Sequence, residues 1–191
     1  MINYYRHFRG TTAKIFRYWK PELFIVPMFE FVKEQYGNRL LIGCEIGVNL
    51  GHGARAILEY LNIKKLYLID PYKPYTEGRY QYDYTKNYNA AKTTLHKHKE
   101  KIQFIKEESS KAYNKITDNT LDFIYIDGNH SYKYVRDDIR LYFDKVKTGG
   151  IFGGDNYHAT YHDGVVKAVN EFIRMTGYEL YGKSLNWWVI K

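Results

Sequence analysis

The sequence contains little cysteine, little proline and no long apolar run. Cys44 is the only cysteine among 191 residues, so the chain can form neither an internal disulfide nor a cysteine-based zinc cluster. No apolar stretch is long enough to cross a bilayer, and the basic residues at the N-terminus are not followed by the apolar segment of a secretory signal. These absences predict a cytoplasmic protein without a membrane span.

Acidic residues are outnumbered by basic ones. The chain has 21 Asp and Glu against 29 Lys and Arg, which gives a formal net charge of +8. Such an excess suits an anionic substrate, a nucleic acid or an acidic membrane surface, although lysines on solvated helix faces would explain much of it. Tyrosine, in contrast, is abundant: the 21 tyrosines cluster near the N-terminus and again between Tyr72 and Tyr88.

Segments typical of strands and of helices alternate along the chain. This alternation predicts an α/β fold with a doubly wound, mostly parallel sheet of seven strands that ends in an antiparallel hairpin. The length and the 45% hydrophobic content suit one domain, residues 1–191. We expect strands at 40–46, 65–70, 102–105, 121–126, 150–154, 178–181 and 186–190, and helices at 54–61, 86–99, 132–146 and 164–175.

The residues before the first strand read as a helical cap. Two apolar-periodic helices are predicted, at 12–19 and at 21–36, the second with Pro21 near its start. The cap then covers residues 1–37 and the α/β core covers 38–191. Together with the tyrosine-rich loop at 71–84, the cap would enclose a small-molecule acceptor, although the tyrosines could equally pack these loops onto the core.

A glycine-spaced turn follows the first strand. Gly47 and Gly51 lie between the apolar run that ends at Ile46 and the next helix. Glycines allow a ligand to approach the backbone there, and the free N–H groups that open a helix favour a carboxylate or phosphate. The spacing G-x-x-x-G-x-G is not the G-x-G-x-x-G of dinucleotide-binding folds. It therefore predicts a nucleotide-like cofactor other than NAD, with a plain glycine turn as the alternative.

Acidic residues end three of the predicted strands. Asp70 lies about twenty residues beyond the glycine turn, where doubly wound folds place an acid on a ribose; alternatively, it only caps a turn with Pro71. Asp127 and Asp155 close two strands that we expect to pair, so both acids and Asn156 would converge. Three oxygen ligands of this kind suit Mg²⁺, although the same residues could simply terminate strands through turn hydrogen bonds.

Histidines lie next to these acids. His130 follows Asp127 by three residues, and the ordinary histidine pKa of about 6.5 suits a general base near neutral pH. It could equally hydrogen-bond the loop around Asp127. His158 and His162 could serve as the base instead or help to hold a metal ion.

Two groups of motifs resemble those of known enzymes. Glu45-Ile46-Gly47 with Gly51 resembles motif I of class I S-adenosylmethionine (SAM)-dependent methyltransferases, in the form found in metal-dependent O-methyltransferases. IDGNHSY, GGIFGGDNY and GVVKAV are similar to small enzymes that include macrocin-type sugar O-methyltransferases, and the Asp127, Asp155 and Asn156 set is similar to the Mg²⁺ ligands of catechol-type enzymes. The resemblance covers 40–191. It implies SAM binding by Glu45, Gly47, Gly51, Asp70, Ser109, Ser110 and Asp127, although Ser109 could be an ordinary helix N-cap.

The resemblance implies methyl transfer to a hydroxyl of a sugar or aromatic acceptor, with His130 and Asp127 as catalytic residues. The chain departs from both relatives, because catechol-type enzymes have lysine at the position of His130 and some macrocin-type enzymes have an acid at that of Asn129.

Three other functions stay open. A nucleic-acid methyltransferase would suit the charge, but 127–130 reads DGNH and not the D/N-P-P-Y motif of amino-methylating enzymes. A non-catalytic cofactor-binding module and an iron-dependent enzyme of the cephalosporin hydroxylase group would use the same fold. The oligomeric state, a homodimer included, is also open.

Overall fold

The strands in the described part of the chain build one large sheet and one small hairpin. The computed structural model describes residues 25–77, 80–158, 160 and 162–191. The strands are β1 (Leu41–Ile46), β2 (Ile63–Ile69), β3 (Pro74–Glu77), β4 (Tyr80–Asp83), β5 (Ile102–Ile105), β6 (Leu121–Ile126), β7 (Val146–Gly154), β8 (Tyr181–Lys183) and β9 (Asn186–Ile190). The α-helices are α1 (Pro27–Tyr36), α2 (His52–Tyr60), α3 (Asn87–Thr94), α4 (Ser109–Ala112), α5 (Tyr132–Tyr142) and α6 (Asp163–Thr176).

The large sheet has seven strands in the order β5-β2-β1-β6-β7-β9-β8. The five strands from β5 to β7 pair in parallel, whereas β9 is antiparallel to both β7 and β8. The predicted doubly wound sheet with an antiparallel C-terminal strand is therefore confirmed. Within the described ranges every helix is too short or too polar to span a lipid bilayer.

The central strands are apolar on both faces because helices cover both. Every residue of β6 is buried. Successive side chains of a strand point to opposite faces, so Phe123 belongs to the same buried cluster as Phe29 and Ile57, whereas Ile124 belongs to the cluster that contains Ile139. This two-sided burial explains why β6 reads as an almost continuous apolar run.

The last helix of the predicted cap forms part of the core. α1 begins at Pro27, with Val26 extended before it. Proline suits the first helical position because the N–H that it lacks would have no partner there. Phe29 and Phe31 are buried against Tyr125 and Trp188, so α1 packs on the sheet. The predicted helix at 12–19 and the start at residue 21 lie outside the described residues.

The sequence predicted a loop at 71–84, but this tyrosine-rich segment contains two strands. β3 and β4 pair there as an antiparallel hairpin, with Tyr75 opposite Tyr82. Tyrosine and threonine favour extended backbone, and partly buried residues alternate with exposed ones along β3. The ring of Tyr75 packs on those of Tyr82 and Tyr84, with centroids 5.1 and 5.5 Å apart.

Several predicted boundaries are wrong by a few residues. The helix expected at 86–99 ends at Thr94 and continues as a 3₁₀ segment over His96–Lys101. The helix expected at 132–146 ends at Tyr142, followed by a short 3₁₀ turn, and β7 already begins at Val146. The strand expected at 178–181 lies at Tyr181–Lys183 instead.

Candidate active site

Four strands end side by side at one rim of the sheet. In the strand register Ile46 lies opposite both Ile69 and Ile126, and Ile126 lies opposite Gly154. The next residue of each strand therefore stands in one row, which we call the sheet rim: Gly47, Asp70, Asp127 and Asp155. Such a carboxyl-end edge is where open α/β sheets bind their ligands.

The fold itself requires the glycines of the turn after β1. Gly47 has φ +91° and Gly51 has φ +81°, a region that other residues rarely adopt. A Cβ atom on Gly47 would lie 2.0 Å from the backbone oxygen of Asp127, so the turn lies directly on the end of β6. On Gly51 a Cβ would lie 3.2 Å from the Leu95 side chain.

Asp70 holds this turn in place. Its Oδ2 accepts hydrogen bonds from the backbone N–H groups of Val48 and Asn49, at 3.0 and 2.9 Å, and its Oδ1 accepts one from Tyr72 at 2.7 Å. The side chain is buried. Because a carboxylate has about four acceptor positions, ribose hydroxyls could still bind it, and that role stays a prediction.

Glu45 is a buried acid without a complete set of partners. Burial raises its pKa well above the ordinary value, and the charges of Asp127 and Asp70 raise it further. Its Oε2 is shielded from solvent and has no hydrogen-bond partner among the described residues. An unmet buried acceptor costs about 1–3 kcal/mol, so this atom is a candidate partner for a donor group of a ligand.

The two serines after β5 lie differently from each other. The Ser109 hydroxyl is engaged by the buried carboxyl of Asp138, and its carbonyl accepts a hydrogen bond of 2.8 Å from the Tyr142 hydroxyl. Ser110 is exposed on α4. The sequence analysis names both as SAM-binding candidates, but only Ser110 has its side chain outside this packing.

His130 lies at the centre of the polar groups at the sheet rim. Its Nδ1 lies 3.0 Å from Glu77 Oε1, and its Nε2 lies 3.3 Å from Asp127 Oδ1 and 3.1 Å from Asn156 Nδ2. Desolvation alone would lower the pKa of His130, but the hydrogen bonds and charges of Asp127 and Glu77 outweigh it and raise the pKa to about 9. The ordinary pKa that motivated the general-base prediction therefore does not apply in the ligand-free protein.

Glu77 is the site residue that sequence reasoning missed. It ends β3, its side chain is only 15% exposed, and the charge and hydrogen bond of His130 overcome desolvation to lower its pKa. The Asn129 side chain also donates a long hydrogen bond of 3.4 Å to the Thr76 carbonyl of the hairpin. Nothing in the local sequence distinguishes Glu77 from an ordinary exposed acid.

Two of the three predicted magnesium ligands, Asp127 and Asn156, contact the same histidine. Asp155 raises the pKa of Asp127 through its charge, although desolvation is the larger cause and His130 acts in the opposite direction. Asp155 Oδ1 accepts a hydrogen bond of 2.8 Å from Asn186. Two neighbouring carboxylates and an amide oxygen are hard oxygen donors, so these residues fit Mg²⁺ by their chemistry.

Comparison with known proteins gives the family. A family model described as a methyltransferase domain matches residues 44–157, more than half of the chain and almost the whole site. The chain belongs to this methyltransferase family. It is a SAM-dependent methyltransferase, as its motif I implied. No curated protein matches the sequence at a significant level.

Solved structures similar to this methyltransferase share its fold at low sequence identity. The O-methyltransferase NovP is 15% identical with a TM-score of 0.65, over 86% of this chain and 79% of that one. A putative caffeoyl-CoA O-methyltransferase from Staphylococcus aureus is 16% identical with a TM-score of 0.64, over 90% and 87%. CalS11, a TDP-rhamnose 3'-O-methyltransferase of calicheamicin biosynthesis, is 11% identical with a TM-score of 0.64, over 85% and 76%.

The methyltransferase has a small recess beside His130. Its walls include the apolar side chains of Val135, Val165 and Trp187 and the polar side chains of Asn129, His130 and Asp155.

Proposed function

We propose that the protein transfers the methyl group of SAM to a hydroxyl of a small sugar or aromatic acceptor, assisted by Mg²⁺. The observation that carries this proposal is the Glu77–His130 pair. Glu77 accepts the Nδ1 proton of His130, which leaves Nε2 directed at Asp127 and Asn156 on the sheet rim. Because its pKa is about 9, His130 can take a proton from an acceptor hydroxyl at the rim only in its neutral form, so turnover should rise as the pH approaches that value.

SAM would lie across the sheet rim. The turn from Gly47 to Gly51 and the N-terminal N–H groups of α2 suit its carboxylate, and the buried Oε2 of Glu45 suits its ammonium group. Asp70 would bind the ribose hydroxyls with the acceptor positions that the turn leaves open. Ser110 suits the adenine side better than Ser109, and Asp127 borders the cofactor and the acceptor alike. SAM supplies the electrophilic methyl group.

In the proposed reaction the residues of the rim position the acceptor and remove its proton. Asp127, Asp155 and Asn156 would hold Mg²⁺, which supplies Lewis-acid polarisation of the hydroxyl. His130 accepts the hydroxyl proton at Nε2 while Glu77 stabilises the imidazolium that results. The acceptor oxygen then forms a bond to the methyl carbon as the sulfur–methyl bond breaks. Most of the rate enhancement would come from this positioning.

The hairpin of β3 and β4 would cover the acceptor. Its tyrosine rings lie next to one another, and its last residue before the turn, Glu77, binds His130 directly. Aromatic faces suit the flat ring of a phenol and the apolar face of a sugar, which supports an acceptor of either class.

Binding and turnover test this proposal together. We expect calorimetric titration to show tight binding of S-adenosylhomocysteine, and Asp70→Ala to weaken it severely. A panel of sugar and phenol acceptors should then show formation of S-adenosylhomocysteine, which a chelator reduces.

Variants separate the roles of the site residues. His130→Ala should lower kcat by about 10²–10⁴, the usual contribution of a general base, with cofactor affinity unchanged. His96→Ala, on the exposed 3₁₀ segment, is the matched control. Full activity of His130→Ala, or equal activity in excess chelator, would remove the base or the metal from the mechanism.

A further inference from the structure

Three side chains from separate elements meet beside the sheet rim in an arrangement that suits a metal ion. Glu77 ends β3, His130 lies in the loop after β6 and His162 directly precedes α6. One potential ligand atom from each lies within 4.8 Å of the other two. Glu77 Oε1 is 3.0 Å from His130 Nδ1 and 3.7 Å from His162 Nδ1. None of the three side chains is more than 29% exposed.

The surrounding residues support this arrangement. The second ring nitrogen of His130 faces Asp127 Oδ1 at 3.3 Å, and a carboxylate on the outer nitrogen is the usual partner of a metal-binding histidine. Gly164 brings the start of α6 close, because a Cβ atom there would lie 2.6 Å from the His130 carbonyl oxygen. The two imidazole rings consequently pack with their centroids 4.6 Å apart.

We propose that Glu77, His130 and His162 bind a divalent transition metal, with Zn²⁺ as the preferred ion. Two imidazole nitrogens and one carboxylate oxygen are a donor set for zinc and its neighbours, whereas Mg²⁺ prefers oxygen ligands. The site is separate from the oxygen donors Asp127, Asp155 and Asn156, although it adjoins them.

Zinc at this site would inhibit methyl transfer. The ion takes the place of the proton on His130 Nδ1, and that proton leaves to solvent. The remaining proton of the ring stays on Nε2 and is donated to Asp127, so Nε2 can no longer accept a proton from the substrate. This inhibition rests on the proposed function, but zinc binding itself does not.

The binding test uses the full chain after removal of bound metal, without SAM or acceptor. Zn²⁺ is titrated by calorimetry, and Co²⁺ is titrated as a spectroscopic probe, because four-coordinate Co²⁺ has visible absorption bands. We expect one tight site per chain that excess Mg²⁺ does not displace. His162→Ala should weaken Zn²⁺ binding by at least about 10-fold, because even the loss of a residue that only hydrogen-bonds a metal ligand costs about 10–100-fold. Glu77→Gln should also weaken Zn²⁺ binding.

A matched control uses the pair of His98 and Glu59, whose side chains lie 3.9 Å apart on another part of the surface. His98→Ala should leave Zn²⁺ affinity and the Co²⁺ spectrum unchanged. Absence of a tight site in the unaltered protein would overturn the proposal. So would a Zn²⁺ affinity of His162→Ala and Glu77→Gln equal to that of the unaltered protein. Because these titrations contain no methyl donor, their result does not depend on whether the methyl-transfer proposal is correct.

Discussion

Single residues at the sheet rim acquire their properties from one another. Glu45, Asp127 and Asp155 end or follow neighbouring strands, and desolvation together with the charges of neighbouring acids raises the pKa of both Glu45 and Asp127. Desolvation lowers the pKa of His130, but Asp127 and Glu77 raise it by more, which for this base favours the charged imidazolium. A cation, whether imidazolium, sulfonium or metal ion, is therefore stabilised at this rim, because it relieves repulsion between the carboxylates.

The pKa of His130 can be measured directly. NMR titration of the metal-free protein in chelator should give a pKa of about 9 for His130. Glu77→Gln should lower this pKa because it replaces a charged acceptor with a neutral one. Glu59→Gln, beside His98, is the control and should leave His130 unchanged. A pKa near 6.5 in the unaltered protein would contradict the paired geometry of Glu77 and His130.

The raised pKa of Asp138 predicts that the stability of the protein depends on pH. Burial raises its pKa from 3.8 to about 7, so between these values the folded protein holds a proton that the unfolded chain releases. The free energy of unfolding should therefore fall as pH rises from about 4 to 7. Asp138→Asn removes this loss and should stabilise the protein at pH 8 by roughly 2–4 kcal/mol, with a smaller gain near pH 4.

Urea unfolding at several pH values measures this effect. The control is Asp144→Asn, because the Asp144 side chain is 77% exposed, and we expect its stability to follow that of the unaltered protein. If Asp138→Asn and the unaltered protein differ equally at pH 4 and pH 8, the raised pKa is not the cause.

At the scale of elements, the hairpin of β3 and β4 is the part of the site that the sequence did not predict. Asp127, His130 and Asp155 could be predicted because each follows a recognisable apolar strand, and strand ends meet by geometry. Glu77 could not, since its position depends on the docking of a hairpin 53 residues away from His130 in the chain. The tyrosine content of this segment is evident from the sequence, but it predicts a loop there and not the two strands.

The hairpin also predicts a separation between acceptor and cofactor binding. Tyr75→Ala should raise the KM of the acceptor while leaving the affinity for S-adenosylhomocysteine unchanged, because its ring packs within the tyrosine cluster of the hairpin. Tyr134→Ala is the control, since that ring is 53% exposed on α5. An equal change of acceptor KM in both variants would show that the tyrosine cluster does not contact the acceptor.

At the scale of the whole molecule, the parallel sheet collects groups that are far apart in the chain. The alternation of strands and helices was enough to predict this architecture, because a parallel connection requires a crossover helix. The exact ends of α5 and α1 were not predictable from periodicity, since apolar residues continue past Tyr142 into a 3₁₀ turn and lie before Pro27 as well. Tertiary packing decides those boundaries.

Asn186 connects three parts of the molecule, and its removal should affect both stability and the site. The side chain is buried; its Oδ1 accepts a hydrogen bond of 3.1 Å from the Met28 N–H at the start of α1, and its Nδ2 donates one of 2.8 Å to Asp155. Asn186→Ala leaves the Met28 N–H buried without an acceptor, which should lower the free energy of unfolding by about 1–3 kcal/mol in urea titrations. It also frees Asp155 to move, so we expect weaker Mg²⁺ binding in calorimetry. Asn89→Ala, at an exposed position on α3, should change neither the free energy of unfolding nor Mg²⁺ affinity. If Asn186→Ala left the stability unaltered, β9 would not anchor α1 through this side chain.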